Sequence, residues 1–205
     1  MLEVAGIAKS YAGRRVVASA SLAAARGEII CLTGPSGIGK TTLLEMMAGV
    51  ISPDRGTVRR TTPPALMFQD DALIPWLSAG ANIAYILSPQ LPSSAAAGIV
   101  ARWLERFDLE RNIFPAAMSG GMRRRLSLAR TLASCRELLF LDEPFAFLDE
   151  VWQDIIAEEL ALRAAAGSAI ILATHTAAPF SRVSAPHARI RHIAVAEAPV
   201  IIGAT

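Results

Sequence analysis

The clearest chemical pattern lies in residues 34–41, where glycines, a lysine and a threonine follow the pattern G-x-x-x-x-G-K-[ST]. Glycines let backbone N–H groups turn toward phosphate oxygens, which side chains would obstruct. Lys40 can reach the β- and γ-phosphates of a nucleotide, and the Thr41 hydroxyl can bind Mg²⁺. We therefore expect a phosphate-binding loop made of Gly34, Pro35, Ser36, Gly37, Ile38, Gly39, Lys40, Thr41 and Thr42.

A second chemical group is the acidic pair Asp142-Glu143, which follows an apolar run at residues 138–141 and precedes Pro144. A carboxylate at the end of a parallel strand can hold Mg²⁺, usually through water. The adjacent Glu143 can polarise an attacking water as a general base. Acidic pairs at strand ends are often only solvated turn residues. Together with a phosphate-binding loop, however, this pair favours a metal ligand and a base.

The elements that must position these groups follow from the hydrophobic pattern. Residues 28–33 and 138–141 are short apolar runs typical of buried strands, and apolar residues at helical spacing follow Thr41 up to Gly49. This alternation predicts an α/β fold of the P-loop NTPase type, with a parallel sheet flanked by helices. We also expect an antiparallel β region over residues 2–25 and an inserted helical subdomain over about 71–136. All of these lie in a single domain, residues 1–205.

Within the insert, a helix is predicted to begin at Pro92-Ser93. Its apolar residues Ile99, Trp103 and Phe107 repeat every four positions, which indicates a stripe that packs in the core.

Composition excludes several classes of protein. The chain has 205 residues, of which 53% are hydrophobic and 19% charged, so it is long and apolar enough to bury a core. Its 20 basic and 18 acidic residues give a net charge of +2, which offers no electrostatic case for a nucleic-acid partner. No apolar window is long enough to span a bilayer, and the first ten residues lack a signal-peptide pattern. Cys31 and Cys135 lie in apolar runs and predict buried free thiols in a reducing cytoplasm.

Residues 118–125, Met-Ser-Gly-Gly-Met-Arg-Arg-Arg, resemble the signature motif of ABC ATPases. Ser119 can cap a helix that begins around Gly121, and the two glycines leave the backbone open to a phosphate. In that family the motif acts in trans, on the γ-phosphate of ATP bound to a partner copy. The resemblance therefore implies a homodimer that encloses ATP, with Ser119, Gly120 and Gly121 among its ATP-binding residues.

Other family motifs match in order, and the resemblance covers nearly the whole chain. Gln69 resembles the Q-loop glutamine that senses the γ-phosphate and magnesium, and Asp149 resembles the D-loop aspartate. His175 resembles the switch histidine that contacts the γ-phosphate, and Tyr11 occupies the position of the aromatic residue that stacks on adenine. The resemblance thus implies catalytic roles for Glu143, His175 and Gln69, and metal-binding roles for Thr41, Gln69 and Asp142.

The signature region departs from the family pattern at several positions. Met118, Met122 and Arg124 replace residues that are commonly Leu, Gln and Gln, and Thr176 replaces the acidic residue that often follows the histidine. None of these changes removes a phosphate-contacting group. The arginine run at 123–125 is typical of a solvated helix face.

The function implied by the resemblance is ATP hydrolysis that energises a transporter, with ATP and Mg²⁺ as cofactors. Residues 68–77, Phe-Gln-Asp-Asp-Ala-Leu-Ile-Pro-Trp-Leu, resemble the Q-loop region of importers for nitrate, sulfonates and taurine. Such a subunit is cytoplasmic and peripheral on the inner face of the cell membrane. Its partners are integral membrane permease subunits and, indirectly, a solute-binding protein.

Two rival functions predict sequence features that differ from those of this chain. A soluble ABC ATPase of DNA repair carries a long coiled coil before the signature, and a ribosome-acting one carries two ATPase domains. Neither feature is evident here, since no heptad repeat is sustained between Gly34 and Ser119. A P-loop metabolic kinase would not need the signature Ser-Gly-Gly.

The segment after Gln69 holds four apolar residues around Pro75, and Pro75 interrupts any helix there. These side chains either fold back on the helical insert or form a docking surface for a permease helix. The four residues are Leu73, Ile74, Trp76 and Leu77.

Overall fold

The computed structural model describes residues 1–89, 91–175, 178–182, 188–195 and 199–203. Thr176, one of the departures from the family pattern, lies outside the described residues. The strands are β1 (Leu2–Tyr11), β2 (Arg14–Ala24), β3 (Glu28–Thr33), β4 (Arg55–Arg60), β5 (Pro64–Met67), β6 (Leu138–Asp142), β7 (Ala169–Thr174), β8 (Arg189–Ala194) and β9 (Val200–Ile202). The α-helices are α1 (Lys40–Ala48), α2 (Ala79–Leu87), α3 (Ser93–Arg106), α4 (Gly120–Ala133), α5 (Glu150–Ala165) and α6 (Ala178–Arg182), and a 3-10 helix spans Pro115–Ala117.

The described strands form two sheets. Five parallel strands are arranged in the order β5-β6-β7-β3-β8, and four others in the order β4-β1-β2-β9. In the second sheet β1 pairs antiparallel with β2 and β4, while β9 runs parallel to β2. The α/β prediction is confirmed. The antiparallel region extends beyond residues 2–25, because β4 and β9 join it from distant parts of the chain.

The central strands of the parallel sheet are buried and largely apolar. The side chains of β6 and β7 are all buried, and in β3 the residues Ile29, Ile30 and Leu32 have no exposed surface. Such strands read as continuous apolar runs because neighbouring elements cover both faces of the sheet. Burial also raises the pKa of the Cys31 thiol to about 12. The expectation of two buried thiols is wrong for Cys135, which is exposed just after the end of α4.

The described chain divides into two compact units. The first contains both sheets with α1, α5 and α6, and comprises Met1–Gln69, Arg136–Pro144 and Asp149–Thr205. The second comprises Asp70–Cys135 and Phe145–Leu148, and contains α2, α3 and α4.

The second unit is held together by an apolar stripe on α3. The prediction that a helix begins at Pro92-Ser93 is confirmed, since Pro92 precedes the first helical residue. Trp103 and Phe107 are buried, and their rings stack with centroids 5.7 Å apart. Ile99, the third residue of the predicted stripe, is only half-buried. The other buried side chains of this face are Ala96, Val100 and Leu104.

None of the helices in the described part of the chain combines the length and the apolar character that a membrane-spanning segment requires.

Candidate functional site

The candidate site forms where the carboxyl ends of three neighbouring strands meet. β6, β7 and β3 are adjacent and parallel, so their ends lie at one edge of the sheet. β3 leads into the glycine-rich loop before α1, β6 ends at Asp142, and β7 is followed by His175. Ligand sites of open α/β sheets occur at this edge.

The glycine-rich loop leads directly into the first turn of α1. Gly39 precedes the helix in a left-handed conformation, with a φ of 115°, which favours glycine. A Cβ added at Gly34 would lie 2.2 Å from the carbonyl oxygen of Val195, so no larger residue fits there. The Lys40 Nζ donates hydrogen bonds to the carbonyl oxygens of Gly34 and Pro35 at 2.7 and 3.0 Å. The loop thus places a nearly buried lysine and the helix N-terminus at one point, an arrangement suited to phosphate.

Thr41 and Asp142 place two oxygens side by side. The Thr41 Oγ1 donates a hydrogen bond to Asp142 Oδ2 at 2.6 Å, although the two residues are distant in sequence. Hard oxygen donors of this kind suit Mg²⁺, which takes one or two protein ligands together with substrate phosphates and water. The described residues contain no cluster of three or more His, Cys, Asp or Glu side chains able to hold a metal by themselves. This donor set therefore fits a magnesium ion carried with a nucleotide.

Glu143 lies in direct contact with His175. The His175 Nδ1 is 3.0 Å from Glu143 Oε2, and the His175 backbone N–H donates to the same oxygen at 3.4 Å. The Lys40 Nζ lies 3.9 Å from the other carboxylate oxygen, Oε1. The structure thus brings Glu143 close to both Lys40 and His175. No local sequence pattern indicated the contact with His175, because His175 and Glu143 follow different strands.

The backbone of Glu143 is held in an unfavourable conformation. Its φ is +48°, in the left-handed region, which costs a non-glycine residue about 1–2 kcal/mol. A hydrogen bond from its N–H to the carbonyl oxygen of Ala173 on β7, 2.8 Å long, stabilises this turn. The result is that the carboxylate points along the sheet edge, toward Lys40 and His175. Strain held in this way is common at functional sites.

Glu45 is a further acidic residue of this region that the sequence analysis did not select. Burial raises the pKa of its carboxyl group, and the negative charge of Asp142 adds to the effect. Helical periodicity offered a signal, since Glu45 lies one turn after Thr41 on α1.

The signature residues lie in the second unit, at the start of α4. Ser119 is the N-cap, and its Oγ accepts a hydrogen bond from the Met122 N–H at 3.2 Å. Gly120 and Gly121 are the first helical residues. A Cβ added at Gly121 would lie only 3.0 Å from the carbonyl oxygen of Phe147, whose own side chain is exposed. Glycine therefore allows the segment of Phe147 to approach the helix N-terminus closely.

The remaining predicted residues lie at the ends of other elements. Gln69 is exposed, two residues after β5. Asp149 is the N-cap of α5, and its carboxylate accepts a hydrogen bond from the Trp152 N–H at 2.9 Å. Tyr11 is the last residue of β1 and is half-exposed, with the Lys9 Nζ 5.7 Å from the ring centroid. The contacts described for Asp149 and Tyr11 are with their own elements rather than with Lys40.

The arginine run on α4 corrects a prediction. Residues 123–125 were expected to form a solvated helix face, but Arg124 is completely buried and Arg125 is nearly so. The physical reason is that polar partners satisfy both guanidinium groups. Arg125 donates to the carbonyl oxygens of Phe107 and Asp108, and Arg124 pairs with the carboxylate of Asp71. Only Arg123 is substantially exposed, at 43% of its side chain.

Comparison with known proteins identifies the family. Residues 17–146 match the family model described as ABC transporter. The sulfate/thiosulfate import ATP-binding protein CysA 2 of Chromobacterium violaceum is 37% identical over 188 residues, covering 85% of this chain and 51% of that protein. The aliphatic sulfonates import ATP-binding protein SsuB 1 of Nocardia farcinica is 38% identical, covering 85% and 71%. The taurine import ATP-binding protein TauB of Yersinia pestis is 34% identical, covering 85% and 73%.

Solved structures agree on the fold. A dimeric bacterial ABC transporter cassette, MJ0796, has a TM-score of 0.83 at 23% identity and covers 95% of this chain and 94% of its own. A second structure, described as the ATP-binding subunit of an ABC transporter, has a TM-score of 0.79 at 26% identity, covering 89% and 82%. The chain spans about half the length of the sulfate/thiosulfate relative and about seven tenths of the sulfonate and taurine relatives. With the family model matching more than half of its residues, the chain belongs to the ATP-binding proteins of the ABC transporter family.

Proposed function

We propose that this chain binds and hydrolyses ATP and thereby energises the import of a small solute through a separate membrane permease. The observation that carries the proposal is the grouping of a buried lysine, a hydroxyl–carboxylate pair and a glutamate–histidine pair at one sheet edge. The residues are Lys40, Thr41, Asp142, Glu143 and His175. Phosphoryl transfer needs positioning and charge stabilisation around the γ-phosphate, and this set supplies both.

The phosphate-binding loop, residues 34–42, would hold the triphosphate. Its N–H groups and the α1 N-terminus favour phosphate oxygens, and Lys40 adds a positive charge that reaches the β- and γ-phosphates. Thr41, Asp142 and Gln69 would hold Mg²⁺, which when bound neutralises charge on the β- and γ-phosphates. Tyr11 would stack on the adenine.

Glu143 would act as the general base for the attacking water. The His175 contact at 3.0 Å orients its carboxylate, and Lys40 at 3.9 Å keeps a positive charge beside it. An ionised carboxylate is the form that can accept a proton from water. His175 would also contact the γ-phosphate, which makes it a link between the nucleotide and the base.

The partners are inferred from the relatives and from the signature. Ser119, Gly120 and Gly121 would bind the γ-phosphate of ATP held by a second copy, and Asp149 would lie at the same dimer interface. The relatives' names refer to sulfate, aliphatic sulfonates and taurine, which favours a small sulfur oxyanion or sulfonate as cargo, with nitrate as a related alternative. A permease in the membrane and, indirectly, a solute-binding protein complete the assembly. The chain would then be a cytoplasmic protein, peripheral on the inner face of the membrane.

Assembly gives a first test. The Glu143→Gln protein should be monomeric without nucleotide and dimeric with MgATP in light scattering. The reason is that the signature residues of one copy would bind the γ-phosphate of ATP held by the other copy. Adding Lys40→Ala to the same protein is the control, and it should keep the protein monomeric. A protein that binds MgATP but stays monomeric at saturating nucleotide would contradict the ATP sandwich.

Coupling gives a second test. Trp76 is 76% exposed, whereas Leu73, Ile74 and Leu77 are half-buried, so the tryptophan is the exposed one of the four large apolar residues. We expect Trp76→Ala to leave basal ATP hydrolysis nearly unchanged and to reduce permease-stimulated hydrolysis roughly tenfold or more, because exposed aromatic residues often dominate protein interfaces. The measurement is phosphate release in proteoliposomes with the co-purified permease. Leu162→Ala, which truncates an exposed side chain on α5, is the control. Unchanged stimulation in the Trp76→Ala protein would place the docking surface elsewhere.

A further inference from the structure

Arg124 is the largest fully buried side chain in the described part of the protein. A buried guanidinium is costly unless charged and polar partners compensate for the loss of water. Its Nη1 lies 3.2 Å from Asp71 Oδ1, whose side chain is itself 20% exposed. Arg124 belongs to the second turn of α4, whereas Asp71 lies in the loop after Gln69. The ion pair therefore joins the loop to the helix that begins at the signature residues.

Further contacts attach the same end of the loop to α4. The Ser127 Oγ donates to the carbonyl oxygen of Asp71 at 3.0 Å. Arg130 donates to the carbonyl oxygens of Asp71 and Ala72 at 3.2 and 2.7 Å. Burial lowers the pKa of the half-buried Arg130, and the negative charge of Asp71 opposes that effect. Residues 124, 127 and 130 are spaced three apart and lie on one face of the helix, so that face holds Asp71-Ala72.

The other end of the loop is held by Asn82. This side chain on α2 is fully buried. Its Oδ1 accepts a hydrogen bond from the Ile74 N–H at 2.9 Å, and its Nδ2 donates to the carbonyl oxygens of Ile74, Leu77 and Ser78 at 3.1, 2.8 and 3.1 Å. Trp76 is exposed between these two attachments. The backbone of the loop is thus held by hydrogen bonds on both sides of Trp76, while the tryptophan side chain remains exposed to solvent.

Ala72, between the ion pair and Asn82, has a φ of +49°. Such a conformation is unfavourable for alanine and persists where surrounding contacts determine it. Those contacts are the hydrogen bonds from Arg130 and the neighbouring Asp71 pair. The shape of the loop therefore depends on α4.

We propose that the Arg124–Asp71 ion pair is a positioning element that couples the exposed loop of Trp76 to the signature helix α4. A displacement of the loop then shifts α4 and Ser119, and ATP binding at Ser119 in turn changes the conformation of the loop. This inference rests on the proposed function, because it takes Trp76 as a docking residue and Ser119 as an ATP ligand. The contact described between Arg124 and Asp71 lies between the loop and α4 rather than on Trp76 or Ser119 themselves, so we assign the pair a positioning role.

A spectroscopic experiment tests the coupling without the permease. The Glu143→Gln protein is labelled with 5-fluorotryptophan, and the signal of Trp76 is assigned with Trp76→Phe among the three tryptophans of the chain. MgATP should shift the Trp76 signal. Arg124→Gln should abolish most of that shift. Its MgATP affinity, measured by calorimetry, should stay within about threefold of the affinity of the Glu143→Gln reference protein, a difference smaller than typical coupling effects. Arg124→Lys keeps the positive charge and should restore part of the shift.

Arg59→Gln is the control, since it removes an exposed arginine on β4, away from the loop and from α4 in the sequence. It should leave the shift nearly unchanged. Thermal unfolding checks that each variant folds. If Arg124→Gln does not fold, Asp71→Asn combined with Arg124→Gln leaves two neutral amides and should fold with the shift still reduced.

The outcomes separate the two proposals. Failure of the reference protein to bind MgATP would overturn the proposed function. Binding with a shift that is equally large in the folded Arg124→Gln or double variant would overturn the coupling role alone, and would leave the ion pair as a structural contact.

Discussion

Glu143→Gln is expected to slow ATP hydrolysis by about 10²–10⁴-fold while MgATP still binds, because an amide cannot accept the proton of the attacking water. Glutamine has nearly the same shape as glutamate, so the contact with His175 at 3.0 Å and the strained turn at Glu143 can persist. The measurement is phosphate release at saturating MgATP together with calorimetric affinity.

Glu158→Gln provides the matched control for that experiment, since it neutralises an exposed glutamate on α5. It should hydrolyse ATP at the wild-type rate. Wild-type turnover in the Glu143→Gln protein would exclude Glu143 as the base and would require another group to activate the water.

The second large effect is expected for Lys40→Ala. Lys40 is nearly buried beside Gly34, Pro35 and Glu143, and its ammonium group is the positive charge that this loop offers to a triphosphate. Removing one partner of a buried charge contact costs about 2–5 kcal/mol, which weakens binding by roughly 30- to several-thousand-fold. MgATP binding should then fall below detection in calorimetry.

Two further variants test whether the charge and the position of Lys40 account for its effect on binding. Lys40→Arg keeps the charge but not the compact ammonium geometry, so partial binding is expected. Arg26→Ala removes an exposed charge at the start of the turn before β3 and should leave affinity unchanged. Equal affinity in wild type and Lys40→Ala would mean that the loop does not bind the β- and γ-phosphates.

The sequence predicted the local structure around the candidate site residues where a motif and the surrounding secondary structure coincide. The residues of the phosphate-binding loop lie between a buried strand and a helix, and strand, loop and helix are all encoded within about twenty residues. The acidic pair follows a strand in the same way. Because parallel strands end at a common edge, the closeness of Thr41 and Asp142 follows from the fold class.

The sequence could not predict features that depend on distant partners. The burial of Arg124 depends on Asp71, and the contact between Glu143 and His175 depends on the order of β6 and β7 in the sheet. A run of arginines looks the same in the sequence whether or not carboxylates and carbonyl oxygens from distant segments accept hydrogen bonds from its guanidinium groups. The pairing of β9 with β2 likewise joins two segments that are remote in sequence, and the short apolar run of β9 does not indicate its partner.

The apolar segment after Gln69 was only partly predictable from the sequence. Its composition allowed both a packed loop and an exposed docking surface. The structure divides the residues, with Trp76 exposed and its apolar neighbours half-buried, because Asn82 holds the backbone of the turn. Polar contacts from Asn82 on α2 and from α4 hold this loop, and hydrophobicity alone could not reveal them.

Phosphate release by the purified chain, with and without the permease that co-purifies from native membranes, tests the central claim most directly. The account predicts MgATP-dependent release by the chain, an increase when the permease is present in proteoliposomes, and loss of both rates in the Glu143→Gln protein. A folded chain that binds MgATP but releases no phosphate in either setting would contradict it.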